Sequence, residues 1–341
     1  VVLASQPNGP SISWTATNRY NEIVREFDLL YVDAMDFTDA LSNQWKRLTS
    51  VVDSCFMDTG WVDRTPPHLM VNTMRFYRAA QHDQWTTGRA PRSASVEIYG
   101  LKTIRLVPGQ NWVGLPFIPD SNSVKSILGY NLPGSNQYAN STRVIWLKKT
   151  NSPQPRIDIW LSKSTTSTSW QYQVGGPTPP ADDLYMPPEE GFIIQIPTNG
   201  SKNTNVIMFV GRVPTNWEDY VVQGGGKSGT YHVVSMRAPN RLHPGNMNLA
   251  GRVSGTTDNN PLHSERIWSL NRISQRGNAD VWYDANTGKW RLNITPNYPD
   301  VPTNYFGPDD ALVLHQPTNK TTGWTWTLPR PYSPPTKNMT P

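Results

Sequence analysis

The chain has 341 residues, among them 31 Pro, 24 Gly, 14 Trp and 14 Tyr, and only 17% of its residues are charged. Proline at that density interrupts long helices, because it lacks an N–H donor and clashes with the preceding turn; aromatic-rich, turn-rich sequence of this kind favours short strands. The net charge of +5 and a pI of about 9.2 are mildly basic, and without a Lys/Arg run they supply no nucleic-acid-binding arm.

The closest basic cluster, Arg75, Arg78, Arg89 and Arg92, reads as a solvated face. No stretch approaches 18 uninterrupted apolar residues, so neither a membrane-spanning helix nor membrane insertion is expected. Cys55 is the single cysteine; it permits no internal disulfide and reads as a small buried hydrophobe. The first residues, Val1–Pro10, have the look of a mature N-terminus left by signal-peptide removal, which implies an extracellular or cell-surface location.

The length is enough for two or three domains. In the first, 1–88, strands are expected over 11–17, 25–35, 44–52 and 72–80, separated by turn signals at 58–60 and Pro66-Pro67. Trp45, Leu48, Phe56, Asp58 and Gly60, followed by the strand from Met74 to Ala80, resemble the closing half of Ig-like or fibronectin-like domains of secreted bacterial proteins. That resemblance implies a small β-sandwich. A polar linker is expected at 89–100.

From there to about residue 327 one module is written twice, as 101–222 and 223–327. Trp146 falls on Trp268 and Trp160 on Trp282, each at an offset of 122. Trp170 falls on Trp290, and residues 184–199 fall on 304–319, both at 120. Trp112 falls on Val233 and Leu128 on Leu249 at 121. A nearly constant offset over separate blocks marks a tandem duplication. Within a copy the Trp residues are expected on successive strands as the core. Asn286 and Gly288 supply a hairpin turn, and a Pro-acidic corner leads into an unbroken apolar strand, 192–196 or 312–316. The fold class is therefore all-β: three small sandwich- or barrel-like domains, with a Pro-rich tail at 328–341. That tail has too little apolar surface to fold alone, so a neighbouring subunit is expected to hold it.

Two motifs of the first copy, Gln110-Asn111-Trp112 through Leu115-Pro116 and Met186-Pro187-Pro188 through Gly191-Phe192-Ile193, are similar to the front and rear motifs of a module found in secreted bacterial surface proteins. The second copy departs from them at Ser235-Met236-Arg237 and at Ala311. The resemblance implies location rather than a catalytic role.

The candidate chemistry is sparse. The histidines at 68, 82, 232, 243, 263 and 315 have no metal-ligand spacing, and neither metal nor cofactor is expected. Glu189-Glu190 and Asp309-Asp310 stand at equivalent corners, where turn chemistry accounts for them better than a glycosidase pair or a calcium site; Asp182-Asp183 is a third such pair. Gly226-Lys227-Ser228 has the look of a phosphate loop but lacks the preceding glycine at 221, and reads as a flexible linker between the copies. Trp324 and Trp326 alternate with Thr on a strand and are the candidates for carbohydrate or subunit contact. Asn140, Asn199, Asn293, Asn319 and Asn338 head glycosylation sequons.

These features are expected of a non-enzymatic structural subunit of an extracellular bacterial filament, sheath or surface layer, whose main partner is itself. The alternatives are a polysaccharide-binding adhesin with a glycan partner, a viral or phage coat or fibre subunit, and, least supported, a glycosidase.

Overall fold

A computed structural model describes residues 2–6, 9–13, 27–32, 46–51, 55–57, 74–81, 98–147, 156–173, 179–198, 205–214, 218–225, 229–236, 242–249, 251–271, 276–277, 280–294, 296–303, 305–307 and 311–328. It is nearly all β, built from several antiparallel sheets with no closed barrel among the described residues. The tail at 329–341 lies outside them.

The N-terminal strands are β1 (Val2–Gln6), β2 (Gly9–Ser13), β3 (Phe27–Val32), β4 (Lys46–Val51), β5 (Cys55–Met57) and β6 (Met74–Gln81). β1, β2 and β5 form a small sheet. The other three join two later strands, β7 (Tyr99–Leu106) and β13 (Asn205–Arg212), in a five-stranded sheet ordered β13-β7-β6-β3-β4. The expected linker at 89–100 therefore connects two neighbours in one sheet: β6 and β7 pair antiparallel, with Tyr77 opposite Tyr99. The reason lies in β7, where every residue but Arg105 is buried. Its Ile104 and Leu106 join the first core, and β6 pairs along the edge that β13 leaves free, so β7 does not end the sheet as an exposed edge strand.

The first module consists of β7, β8 (Gly109–Val113), a short helix α1 (Val124–Leu128), β9 (Arg143–Leu147), β10 (Arg156–Lys163), β11 (Thr168–Tyr172), β12 (Phe192–Ile196) and β13. Its main sheet is ordered β11-β10-β9-β12-β8, and the β7–β13 pair packs across one face of it. The second module consists of β14 (Glu218–Val222), β15 (Thr230–Ser235), β16 (Arg266–Trp268), a ribbon of β17 (Leu270–Asn271) and β18 (Arg276–Gly277), β19 (Val281–Asp284), β20 (Lys289–Leu292), β21 (Ala311–Gln316) and β22 (Trp324–Leu328). Its main sheet is ordered β20-β19-β16-β21-β15, and β14 pairs with β22. Strand for strand, the two orders are the same.

The second copy thus begins one strand before residue 223. β14 is the counterpart of β7, and the glycine-rich run lies inside the copy, joining β14 to β15. Composition alone makes that run look like a linker, but its described glycines are tightly packed. A Cβ on Gly224 would stand 1.9 Å from the Thr321 carbonyl oxygen, and one on Gly225 would stand 1.9 Å from that of Pro317. The Gly225 amide donates to the Lys320 carbonyl at 2.7 Å. These glycines are needed because two backbones approach closely. Residues 226–228, which carry the phosphate-loop resemblance, lie outside the described set.

Sheet register corrects one of the repeat alignments. Arg143 stands opposite Trp160, and Arg266 stands opposite Trp282, so the two arginines are equivalent. Trp146 then corresponds to Ser269 rather than Trp268, a slip of one residue. In a strand one residue is the difference between faces. Trp146 points into the first core and Trp268 lies on the outside of the second sheet. Trp160 and Trp282 are equivalent as expected, but they too lie on the outer faces, covered by tyrosines; Trp170 and Trp290 are in the cores. The second core takes its other indole from Trp326 on β22. Both cores use an indole N–H to hold the loop after the second strand. Trp170 Nε1 donates to the Gly129 carbonyl at 3.0 Å, and Trp326 Nε1 donates to that of Met247 at 2.7 Å.

Candidate functional site: an open edge and two outer faces

An exposed sheet edge offers unpaired backbone groups to another chain, so natural sheets cover or distort their edges. Several edges here are closed by short bridges. β11 is met by the loop at 179–181, where the Tyr172 amide donates to the Pro179 carbonyl and the Ala181 amide to that of Trp170. β20 is met by the equivalent loop, with Leu292 donating to Pro299 and Val301 to Trp290. The outer edge of β15 is met by the first module: the Ser235 amide donates to the Glu189 carbonyl at 2.8 Å and the Gly191 amide to that of Val233 at 3.1 Å. Ser235 Oγ adds a hydrogen bond to the Leu115 carbonyl at 2.7 Å. A Cβ on Gly191 would stand 2.6 Å from Ala311 Cβ, so the glycine of the Pro-acidic corner lets the modules touch.

β14 is different. In the first module the outer side of β7 carries β6, β3 and β4; on the equivalent side of β14 no strand is found among the described residues. Val221 in the middle of it is 56% exposed.

The outer faces of the two main sheets, away from the cores, carry a repeated polar group. Across the first sheet, Gln110, Gln195, Arg143, Trp160 and Gln171 stand in one row. Across the second, the row reads Tyr231, His315, Arg266, Trp282 and Arg291. Asp158 precedes Trp160 by two residues as Asp280 precedes Trp282. Arg, Asp and Trp are thus kept at equivalent places in both copies.

Their surroundings diverge. In the first copy Tyr138 covers the group: its hydroxyl donates to Asp158 Oδ2 at 2.7 Å and accepts from Arg143 Nη1 at 2.7 Å. Its ring meets Trp160 edge-on at 6.3 Å and lies 4.8 Å from the guanidinium carbon. Arg143 also donates to Gln195 Oε1. Burial, and then the bond to Asp158, raise the Tyr138 phenol above its ordinary value. In the second copy Arg266 Nη1 donates directly to Asp280 Oδ2 at 2.8 Å, while Tyr298 meets Trp282 edge-on at 5.6 Å and burial, then the Asp280 charge, raise the Tyr305 phenol above its ordinary value. Around the Arg266–Asp280 pair stand Trp268, 5.4 Å from the guanidinium carbon, His315, and Tyr231, whose ring lies 4.7 Å from the His315 ring and 5.9 Å from that of Trp268. Tyr231 is 52% exposed. Arg266 Nε and His315 Nδ1 are buried without a hydrogen-bond partner among the described residues. Burial, and secondarily Arg266, push the His315 pKa down to about 4.

The other sequence candidates sit as follows. Glu189 and Glu190 stand on the corner at the module junction, where the Glu189 carbonyl accepts from Ser235 and the Glu190 amide donates to the Pro187 carbonyl; Asp309 and Asp310 lie outside the described residues. The Asp182 carboxylate accepts from the Trp170 amide at 2.9 Å. Trp326 is fully buried in the second core and leaves no face for a sugar, while Trp324 is half-buried against that core. Asn140 and Asn319 are exposed and Asn293 is half-buried; Asn199 and Asn338 lie outside the described residues. Among the described residues no group of three or more His, Cys, Asp and Glu is placed to hold a metal ion, and no helix is long and apolar enough to cross a membrane.

Tyr231, Trp268 and Arg266 were not among the sequence candidates. Arg266 could have been found by the repeat, since it falls on Arg143 once the alignment is shifted by one residue. Tyr231 and His315 could not, because their counterparts are glutamines. Comparison of the chain with family models, with curated proteins and with solved structures gives no match.

Proposed function

We propose that the protein is a structural subunit of an extracellular bacterial filament, sheath or surface layer, joined to its neighbours by sheet-edge pairing. The observation that carries the reading is the contrast between two equivalent strands. β7 is extended on its outer side by β6, β3 and β4, whereas β14 has no strand on that side among the described residues. The edges of β11, β20 and β15 are closed by their own loops or by the neighbouring module, which leaves β14 as a place to add a strand. A contact between unlike surfaces that does not close on itself produces a filament. The extracellular setting rests on the resemblance of the 110–116 and 186–193 motifs to those of secreted surface modules.

Sedimentation over a range of concentrations, with negative-stain imaging of the native material, tests the reading. Concentration-dependent oligomers or filaments are expected. Val221→Lys on the open edge should disperse them while leaving the circular dichroism spectrum unchanged, because a charge on an edge strand opposes pairing. A single monomeric species at every concentration and salt would overturn it.

A further inference from the structure

We propose that the outer face of the second module is a saccharide-binding site, formed by Tyr231, Trp268, His315 and the Arg266–Asp280 pair. The inference is independent of how the chain assembles.

The first module provides the argument. There the same Arg–Asp–Trp group is occupied by a hydroxyl-bearing ring from the chain itself. The Tyr138 oxygen stands 2.7 Å from both Asp158 and Arg143, donating to one and accepting from the other. Among common groups a hydroxyl does both through one atom, and each bond is strengthened by the charge of its partner. The ring itself rests edge-on against Trp160.

In the second module the group is kept but the ring at that place is not: the residue three positions before Ser264, the counterpart of Ser141, is Pro261 where the first copy has Tyr138, and Tyr298, from another loop, meets Trp282 edge-on at 5.6 Å. Arg266 and Asp280 close on each other at 2.8 Å, and both side chains remain partly exposed at 15% and 18%. Arg266 Nε and the Nδ1 of His315, a residue 93% buried by its 7% exposure, lack partners among the described residues. Buried polar atoms are normally satisfied, so two at one place mark where a polar ligand gains most. Beside them stands Tyr231, 52% exposed, its ring edge-on to that of Trp268 at 74° with centroids 5.9 Å apart.

A pyranose matches these features together. Its C–H face is weakly positive and complements the negative face of an aromatic ring. Its hydroxyls can enter between Arg266 and Asp280 as the Tyr138 hydroxyl does between Arg143 and Asp158. A neutral sugar also suits an arginine whose charge is already balanced by Asp280.

Native affinity electrophoresis of the full chain through gels containing hydroxyethylcellulose, galactomannan or xylan tests the proposal. At least one polymer should retard the chain, and Tyr231→Ala should weaken that retardation about tenfold; this exposed residue can be removed without disturbing a core. Tyr138→Ala should strengthen retardation by uncovering the equivalent group of the first module. Retardation by none of the polymers, or equal retardation of Tyr231→Ala, overturns the proposal. So does binding of N-acetyltyrosinamide, followed by tryptophan fluorescence, in the absence of polysaccharide binding, which would assign the face to a tyrosine of a protein partner.

Discussion

The two modules share a strand order and an Arg–Asp–Trp group on their outer faces but differ in what surrounds it, and that contrast separates what the fold requires from what it leaves free. In the interior the same task is met by different residues. The first core holds Trp146 and Trp170; the second holds Trp290 and Trp326, with the extra indole on a different strand. The first turn of the first module is held by Asn111, whose side chain accepts from the Val107 amide and donates to the carbonyls of Val107, Gly109 and Ile194. Its counterpart His232 does a smaller version of the task, accepting from the Gln223 amide through Nε2 at 3.2 Å. Outside, the covers differ altogether: Tyr138 shields Trp160, and Tyr298, from another loop, shields Trp282. A packed interior tolerates substitution when volume and hydrogen bonds are replaced together, while nothing fixes the rim except what it meets.

The strongest way to break the claim that the cores are equivalent is to empty each in turn. Trp170→Ala and Trp326→Ala each remove a fully buried indole and leave a loop carbonyl unsatisfied, so each should cost about 3–5 kcal/mol. Urea denaturation followed by circular dichroism should show similar losses for the two. If the cores are separate, each variant should split the unfolding curve, with the altered module melting first. Equal shifts of a single transition would mean that the junction at Glu189–Gly191 and Ser235 couples the modules into one cooperative unit.

The first turns give a smaller and unequal pair. Asn111→Ala exposes several backbone groups to loss of their partner and should cost about 2–3 kcal/mol, whereas His232→Ala removes the acceptor of the Gln223 amide and should cost about 1 kcal/mol. The same denaturation measurement orders them. Equal losses would show that His232 carries weight through its edge-on contact with Tyr220, at 5.9 Å, rather than through the turn.

The duplication and its β character were legible because they rest on repeated large residues and on turn chemistry, both local. Trp160 and Trp282, or Trp170 and Trp290, can be aligned without knowing where they point. The side of the sheet was not legible in the same way. A strand repeats every two residues, so aligning Trp146 with Trp268 by identity misplaces one of them across the sheet. The partners of an edge are set by distant chain: nothing near β7 says that β6 will pair with it, or that β14 will lack such a neighbour. The glycines at 224 and 225 mislead for a related reason. Read locally they signal flexibility, and only the approach of Pro317 and Thr321 reveals that they are packed. The candidate site on the second face combines both difficulties, since its parts lie on β15, β16 and β21 and in the segment leading into β19, and two of them replace glutamines.

The gentlest contrast is between His315 and its counterpart Gln195, and it is read in pH. Folding places His315 against Tyr231 and near Arg266, and its pKa falls from 6.5 to about 4. Between those values the unfolded chain binds a proton at this residue that the folded chain does not. Stability therefore rises with pH across that window and declines as pH falls from 6.5 toward 4, below which this residue adds no further dependence. The remaining carboxylates contribute their own acid sensitivity, and they are unaltered in His315→Gln. Melting temperatures of the two proteins, taken from pH 7 down to pH 4.5, should accordingly diverge, with the histidine form losing more. The glutamine introduced is the residue the first module already accommodates beside Arg143, so the two should start close together at neutral pH. Parallel curves would mean that the histidine is as easily protonated folded as unfolded. Arg266 would then not be facing a neutral ring, and the second face would be less closed around its arginine than the distances imply.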